Sequence, residues 1–166
     1  MADKVKAVPK GFRSVNAYLA VAGGARALEF YRKAFNAKEI SRMMYPDGQK
    51  LAHAEIKIGN TMVMLSDEAP EHGVRSPKSI GGTGVRLVLY VRNCDRVYKR
   101  ALKAGATSVM EPVDMFWGDR WSEVTDPFGH RWQIATHKED LSPEQLEQRS
   151  KEFFAKMAQQ PPPAPA

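Results

Sequence analysis

His53 and Glu55 stand two residues apart in a run that alternates as a strand does, so both side chains project to one face. A histidine beside a carboxylate can take or give a proton near neutral pH, which makes His53 a candidate acid or base and Glu55 its orienting partner. The plainer reading is a structural hydrogen-bonded pair on a solvated face, because perturbed ionisable pairs mark sites only statistically. A second cluster is Phe116-Trp117-Gly118-Asp119-Arg120, just before a strand. There Trp117 would stack on a flat ligand, and Arg120 would grip a carboxylate or phosphate with two prongs. The structural alternative pairs Asp119 with Arg120 and packs Trp117 between parts of the fold. Tyr18, Arg86, Tyr90, Glu123 and Gln133 complete the ligand-binding candidates, for reasons that depend on which elements carry them.

Those elements alternate regularly. Residues 15–21 (VNAYLAV) read as a strand with Val15, Ala17, Leu19 and Val21 on its apolar side, leaving Asn16 and Tyr18 opposite. After Gly23-Gly24, the residues Ala27, Leu28, Tyr31, Ala34 and Phe35 recur at helical spacing. Strands are predicted at 40–44, 51–58 and 61–66, separated by Pro46-Asp47-Gly48 and Gly59-Asn60 turns. A glycine- and proline-bearing linker occupies 67–84. The pattern then restarts: a strand at 85–91, a helix with Cys94, Val97, Tyr98, Ala101 and Leu102 on one face, and strands at 108–112, 120–125 and 131–136. Val21 matches Val91 and Gly59 matches Gly129 at a constant spacing of 70, the mark of an internal repeat.

The expected organisation is a flexible leader over 1–13, a first module over 14–66, the linker, a second module over 85–137, a helical extension over 138–158 and a disordered proline-rich tail over 159–166. Ser142, Pro143 and Gln145 supply the capping box that opens the extension. Strand alternation assigns a shared face to Asn16, Tyr18, His53, Glu55, Lys57, Arg86, Tyr90, Arg131 and Gln133. It adds Thr61, Val63 and Leu65, and the constant spacing sets Glu123 opposite His53 in the repeat.

Bulk composition excludes several classes. The net charge is +6, from 25 basic and 19 acidic residues, but the basic residues are scattered and no nucleic-acid motif accompanies them. No nucleic-acid or membrane partner is expected, since no apolar run has the length of a bilayer span. Nothing at the start reads as a secretory signal, and the single cysteine, Cys94, excludes an intramolecular disulfide, so a cytoplasmic setting is expected.

The strand VNAYLAV, the helix ALEFYRKAFNA, HAEIKIGN, the Gly118-Asp119-Arg120 segment and DPFGHRWQIATH together resemble the vicinal-oxygen-chelate superfamily over about residues 14–141. They look most like its PhnB-like branch within the glyoxalase/bleomycin-resistance/dioxygenase group. The resemblance implies an α+β fold of two tandem βαβββ modules whose sheets form a cup, with helices on the outer faces. It also implies metal ligands at four symmetric positions, which here are Asn16, Val63, Arg86 and Gln133. Valine offers no donor and arginine repels a cation, so no metal and no other cofactor is expected. The expectation is a metal-free cup that binds a small anionic molecule, for sequestration or an acid/base step of lyase or isomerase type. The alternative is a metal-dependent lyase or a ring-cleaving dioxygenase. A methyltransferase is rejected, because Gly81-Gly82-Thr83-Gly84 precedes a strand rather than following one. A homodimer is expected, with the Leu146/Phe153/Phe154/Met157 stripe in need of cover.

Overall fold

A computed structural model describes residues 5–159. The chain folds as two similar βαβββ modules. The first comprises β1 (Ala17–Val21), α1 (Gly24–Phe35), β2 (Lys38–Met44), β3 (Leu51–Ile58) and β4 (Thr61–Asp67). The second comprises β5 (Arg86–Tyr90), α2 (Cys94–Lys103), β6 (Thr107–Asp114), β7 (Asp119–Thr125) and β8 (Arg131–His137). A last helix, α3 (Pro143–Ala158), follows, opened by the expected capping box at Ser142 and Gln145. The linker carries a short 3-10 turn at Pro70–His72, and Ser76 inside it is buried. Most of the expected leader is described and runs over the first sheet near Met62, beside Gly11. The expected tail lies outside the described residues apart from Gln159. No helix among the described residues is long and apolar enough to cross a membrane.

Each module is an open four-stranded sheet, ordered β1-β4-β3-β2 and β5-β8-β7-β6, and no strand of one sheet joins the other. In each, the first strand runs parallel to the last and the other pairs are antiparallel. The helix follows the first strand at once, so its N-terminal amides need partners where chain direction changes. Asp67 Oδ1 accepts from the amides of Gly23 and Gly24, at 2.7 and 2.8 Å. Its other oxygen accepts from Leu51 at 2.7 Å. In the second module Thr136 does this work, accepting from the Cys94 amide at 2.8 Å.

One face of each sheet is covered by its own helix. Leu19, Val21, Ala54, Ile56, Ile58, Val63 and Leu65 meet α1, while Val124, Trp132 and Ile134 belong to the face under α2. The two helices touch, and these faces share a single core. Phe35 packs at a tilt against Trp132 with ring centroids 4.6 Å apart, and Tyr31 lies 5.6 Å from the same ring. Burying such aromatic surface is what joins the modules. Opposite these covered faces the sheets stay open.

The constant spacing of 70 does not survive the register. Ala17 corresponds to Leu87, but Val63 corresponds to Trp132 and Ile56 to Val124, so the spacing falls to 69 and then 68. The chain ahead of β7 is two residues shorter than its counterpart, and the β7–β8 turn is one residue longer. A one-residue shift exchanges strand faces. Within the first module the Gly59-Asn60 turn sets Ile58 opposite Thr61, so Thr61, Val63 and Leu65 point to the covered side with Ile56, and Met62 and Met64 take the open side with Lys57 and Glu55. The counterpart of Glu123 is Glu55, not His53, and Trp121 stands where His53 stands in the first module.

Candidate functional site

The open face of the first sheet carries a connected polar row. Tyr18 pairs with Met64 across β1 and β4, and Met64 with Glu55 across β4 and β3, which brings Tyr18 beside β3. The Tyr18 hydroxyl lies 3.0 Å from His53 Nδ1, and their rings are 5.6 Å apart. His53 Nε2 lies 3.7 Å from Glu55 Oε1, too far for a hydrogen bond but within ionic reach. His53 thus has one nitrogen engaged by a phenol and one nitrogen that faces a carboxylate across a gap. Both His53 and Glu55 keep about a quarter of their side-chain surface in contact with solvent, 27% each.

The open face of the second sheet is built around two buried carboxylates. Glu123 sits between arginines: its Oε1 lies 2.5 Å from Arg131 Nε and 3.4 Å from Arg86 Nε. Gln133 Nε2 donates to its other oxygen at 3.2 Å. Strand pairing accounts for the cluster, since Glu123 faces Gln133 across β7 and β8 while Arg86 faces Arg131 across β5 and β8. Two guanidinium groups on one carboxylate leave one positive charge in excess. Arg86 is the more exposed of the two.

Asp119, four residues back along β7 on the same face, collects three donors. Tyr90 Oη and Trp117 Nε1 donate to Oδ2 at 2.8 and 3.2 Å, and His137 Nδ1 lies 2.8 Å from Oδ1. Donation to Asp119 is the first cause that raises the Tyr90 pKa. His137 is also raised, first by its contact with Asp140 at 3.0 Å and then by Asp119.

The expected residues thus fall into groups. Tyr18, His53 and Glu55 come together on the first open face. Arg86, Glu123 and Gln133 come together on the second, with Tyr90, Trp117 and Asp119 as a separate network on that side. Arg120 stands on the other face of β7, where Asp95 of α2 holds it with two hydrogen bonds at 3.0 and 2.9 Å and Asp114 lies 3.4 Å away. It braces α2 rather than facing the open side. Trp117 does not lie between the modules. It packs edge-on against Phe116 and Trp121, and Phe153 and Phe154 of α3 extend that cluster through Phe116. Neither Trp121 nor His137 is among the residues that the sequence pattern singled out as site candidates. Stepping by two from Glu123 and from Gln133 would have reached both. Within the chain His53 and Arg86 belong to different sheets, and neither lines any of five grooves found on the surface.

The donor set does not suit a divalent ion. Val63 points into the core, and its open-side neighbour Met64 brings only a thioether. Asn16 spends its amide on the backbone of Arg13, at 2.9 and 2.6 Å. Arg86 is a fixed cation, and Gln133 is bound to Glu123. Among the described residues no three His, Cys, Asp or Glu side chains gather as a metal site would require.

Comparison with known proteins agrees with this architecture. The family model of the glyoxalase/bleomycin resistance protein/dioxygenase superfamily matches residues 14–134. An uncharacterised protein of Mycobacterium tuberculosis is 41% identical over 137 residues, which span 81% of this chain and 80% of that one. Among solved structures, TioX from Micromonospora sp. ML1 superposes with a TM-score of 0.59 at 26% identity, over 75% of this chain and 99% of its own. The PhnB protein of Bacillus cereus superposes with a TM-score of 0.58 over 75% of this chain and 99% of its own, but at 17% identity it attests the fold alone.

Proposed function

The chain belongs to the glyoxalase/bleomycin resistance protein/dioxygenase superfamily, and from that premise we propose that it is a PhnB-like member that binds a small, partly flat, anionic molecule on its open sheet faces without a metal. The observation that carries this reading is the excess positive charge where Arg86 and Arg131 bracket Glu123. A carboxylate or enolate oxygen placed there would meet a charge-assisted donor held by strand pairing on both sides. The fixed charge of Arg86 then serves where relatives would keep a metal ligand.

His53 supplies the acid/base group. Tyr18 holds its Nδ1, so Nε2 is the nitrogen left to exchange a proton, and Glu55 stabilises the ring when charged. For His53 and Arg86 to serve one ligand, a second copy must bring the open face of one first module onto the open face of the other's second module. Exposed apolar groups on both faces favour such a homodimer: Tyr18 and Met43 on the first, Val88, Tyr90 and Val113 on the second. A two-fold axis would then give two equal sites.

The test is a thermal-shift screen of small acids against the wild type, Arg86→Met and His53→Ala, with molar mass measured by light scattering. A ligand at a hundred times its Kd stabilises by about 2.7 kcal/mol, a shift that is readily read. Arg86→Met should lose the acidic hits, whereas His53→Ala should keep them and lose any turnover. Acidic hits that stabilise Arg86→Met as well as the wild type would end the proposal, and a stable monomer at high concentration would end the shared site.

A further inference from the structure

Away from the open-face clusters, a groove of about 550 Å³ runs between the end of α1, the β3–β4 turn and the start of α2. Its size is that of a small-molecule site. Five cations line it, Lys38, Lys57, Arg92, Arg96 and Arg100, and no acidic side chain does. Some exposed cations elsewhere meet carboxylates, as Arg32, Arg42, Arg149 and Lys151 do, while others among the described residues, such as Lys50, Lys78 and Lys103, do not; what marks the groove is five cations gathered with no acid among its lining. Among the described residues none of these five has a carboxylate oxygen within 4.0 Å.

The cluster opposes folding in two visible ways. Lys38 and Lys57 are direct partners across the β2–β3 ladder, where like charges repel. Arg100 donates to the Ala34 carbonyl at 2.6 Å, and burial first, then the charge of Arg96, pulls its pKa below the usual guanidinium value. The first amides of α2 do not add to the attraction, because Thr136 and Asn93 already take those of Cys94 and Arg96. Unpaired side-chain charge, gathered at the cost of repulsion in a groove of ligand size, fits a partner that brings several negative charges of its own. At the rim stands Tyr90, largely exposed, its ring fixed through the bond to Asp119.

We infer that this groove binds a nucleoside polyphosphate, with the phosphate chain across Lys38, Arg92 and Arg96 and the flat base against Tyr90. Arginine and lysine around a phosphate chain form short charge-assisted bonds, and an aromatic face accepts a base by stacking. Tyr90 is the one residue this site shares with those named as ligand-binding candidates on the open faces, so the variants that test it leave Tyr90 in place.

The experiment is isothermal titration of wild type, Arg92→Gln/Arg96→Gln and Arg86→Gln with tripolyphosphate, ATP and adenosine at low salt, followed by added salt. Tripolyphosphate and ATP should bind, ATP more tightly, and adenosine should not. The double variant should bind ATP about a hundredfold more weakly, about tenfold for each lost charge-assisted contact. Without ligand it should unfold no earlier than the wild type, because it has lost repulsion rather than a partner. Arg86→Gln should bind both phosphates normally, which separates this site from the open-face reading. Failure of both phosphates to bind, or an unaffected double variant, would overturn the inference. So would a short DNA duplex that binds more tightly than tripolyphosphate, since that would mark a nucleic-acid surface. Equal affinity for ATP and tripolyphosphate would overturn the contact with Tyr90.

Discussion

Replacing Tyr31 by Phe removes one atom from the junction of the modules, and its consequences can be worked through. Asp126 opens the β7–β8 turn and is 3% exposed. Its Oδ1 accepts from the amides of Phe128 and His130, both at 2.9 Å, which shapes the turn. Its Oδ2 accepts from Trp132 Nε1 at 3.0 Å and from Tyr31 Oη of the other module at 2.7 Å. Burial alone would raise this carboxyl's pKa. The side-chain contact with His130, 3.4 Å away, with donation from Tyr31 and Trp132, outweighs burial and holds it below the usual value. Losing a hydrogen bond to a buried charged group costs about 1.5–3 kcal/mol. For a domain of this size the midpoint Tm should fall by roughly 3–12 °C.

The pH dependence sharpens the test. A carboxyl depressed in the folded state adds stability above its unfolded pKa, about 3.9, and that stability is lost as pH falls through the folded value. Without the Tyr31 donor the folded value moves up, and the contribution shrinks. The gap between wild type and Tyr31→Phe should therefore be full near neutrality and narrow as pH drops below about 4. Urea denaturation across pH 3–7 measures it. A gap that is absent at pH 7, or that stays constant down to pH 3, would refute the role given to Tyr31.

Three further outcomes are expected. The His137 ring, raised by Asp140 and then Asp119, should titrate in an NMR experiment above 6.5. The stability it adds is complete below the unfolded pKa and is lost as pH rises through the folded one, and Asp119→Asn should bring the titration down. Gly24→Ala would set a methyl 2.5 Å from Leu51 Cβ and 2.9 Å from Asp67 Oδ2, and should destabilise by about 1–3 kcal/mol in denaturant melts. Cys94 is buried, and burial raises its thiol pKa, so a disulfide reagent should modify it only as fast as the protein opens; rapid labelling of the native protein would contradict this.

Much of the architecture was legible in the residues alone. Alternation in VNAYLAV and VRLVLYV, the helical recurrence from Ala27 to Phe35, and the restart after the linker are local patterns, and local patterns follow from a period of 2.0 or 3.6. They gave the two modules, the capped last helix and the side-by-side placement of His53 and Glu55. The face of β4 and the partner of Glu123 lay beyond them. Those depend on pairing register: Ile58 lies opposite Thr61 across the β3–β4 turn, and the β7–β8 turn holds one residue more than its counterpart, so a fixed spacing carries a residue of one module onto the wrong face of the other. Position in sequence likewise could not show that Arg120 braces α2 while its neighbour Asp119 gathers Tyr90, Trp117 and His137. Arg92, Arg96 and Arg100 already recur at helical spacing in the sequence, but only the fold sets them beside Lys38 and Lys57, which the β2–β3 ladder pairs. Charge in a sequence is a count. Whether two charges meet a partner, or each other, is decided by distances that exist only once the chain has folded.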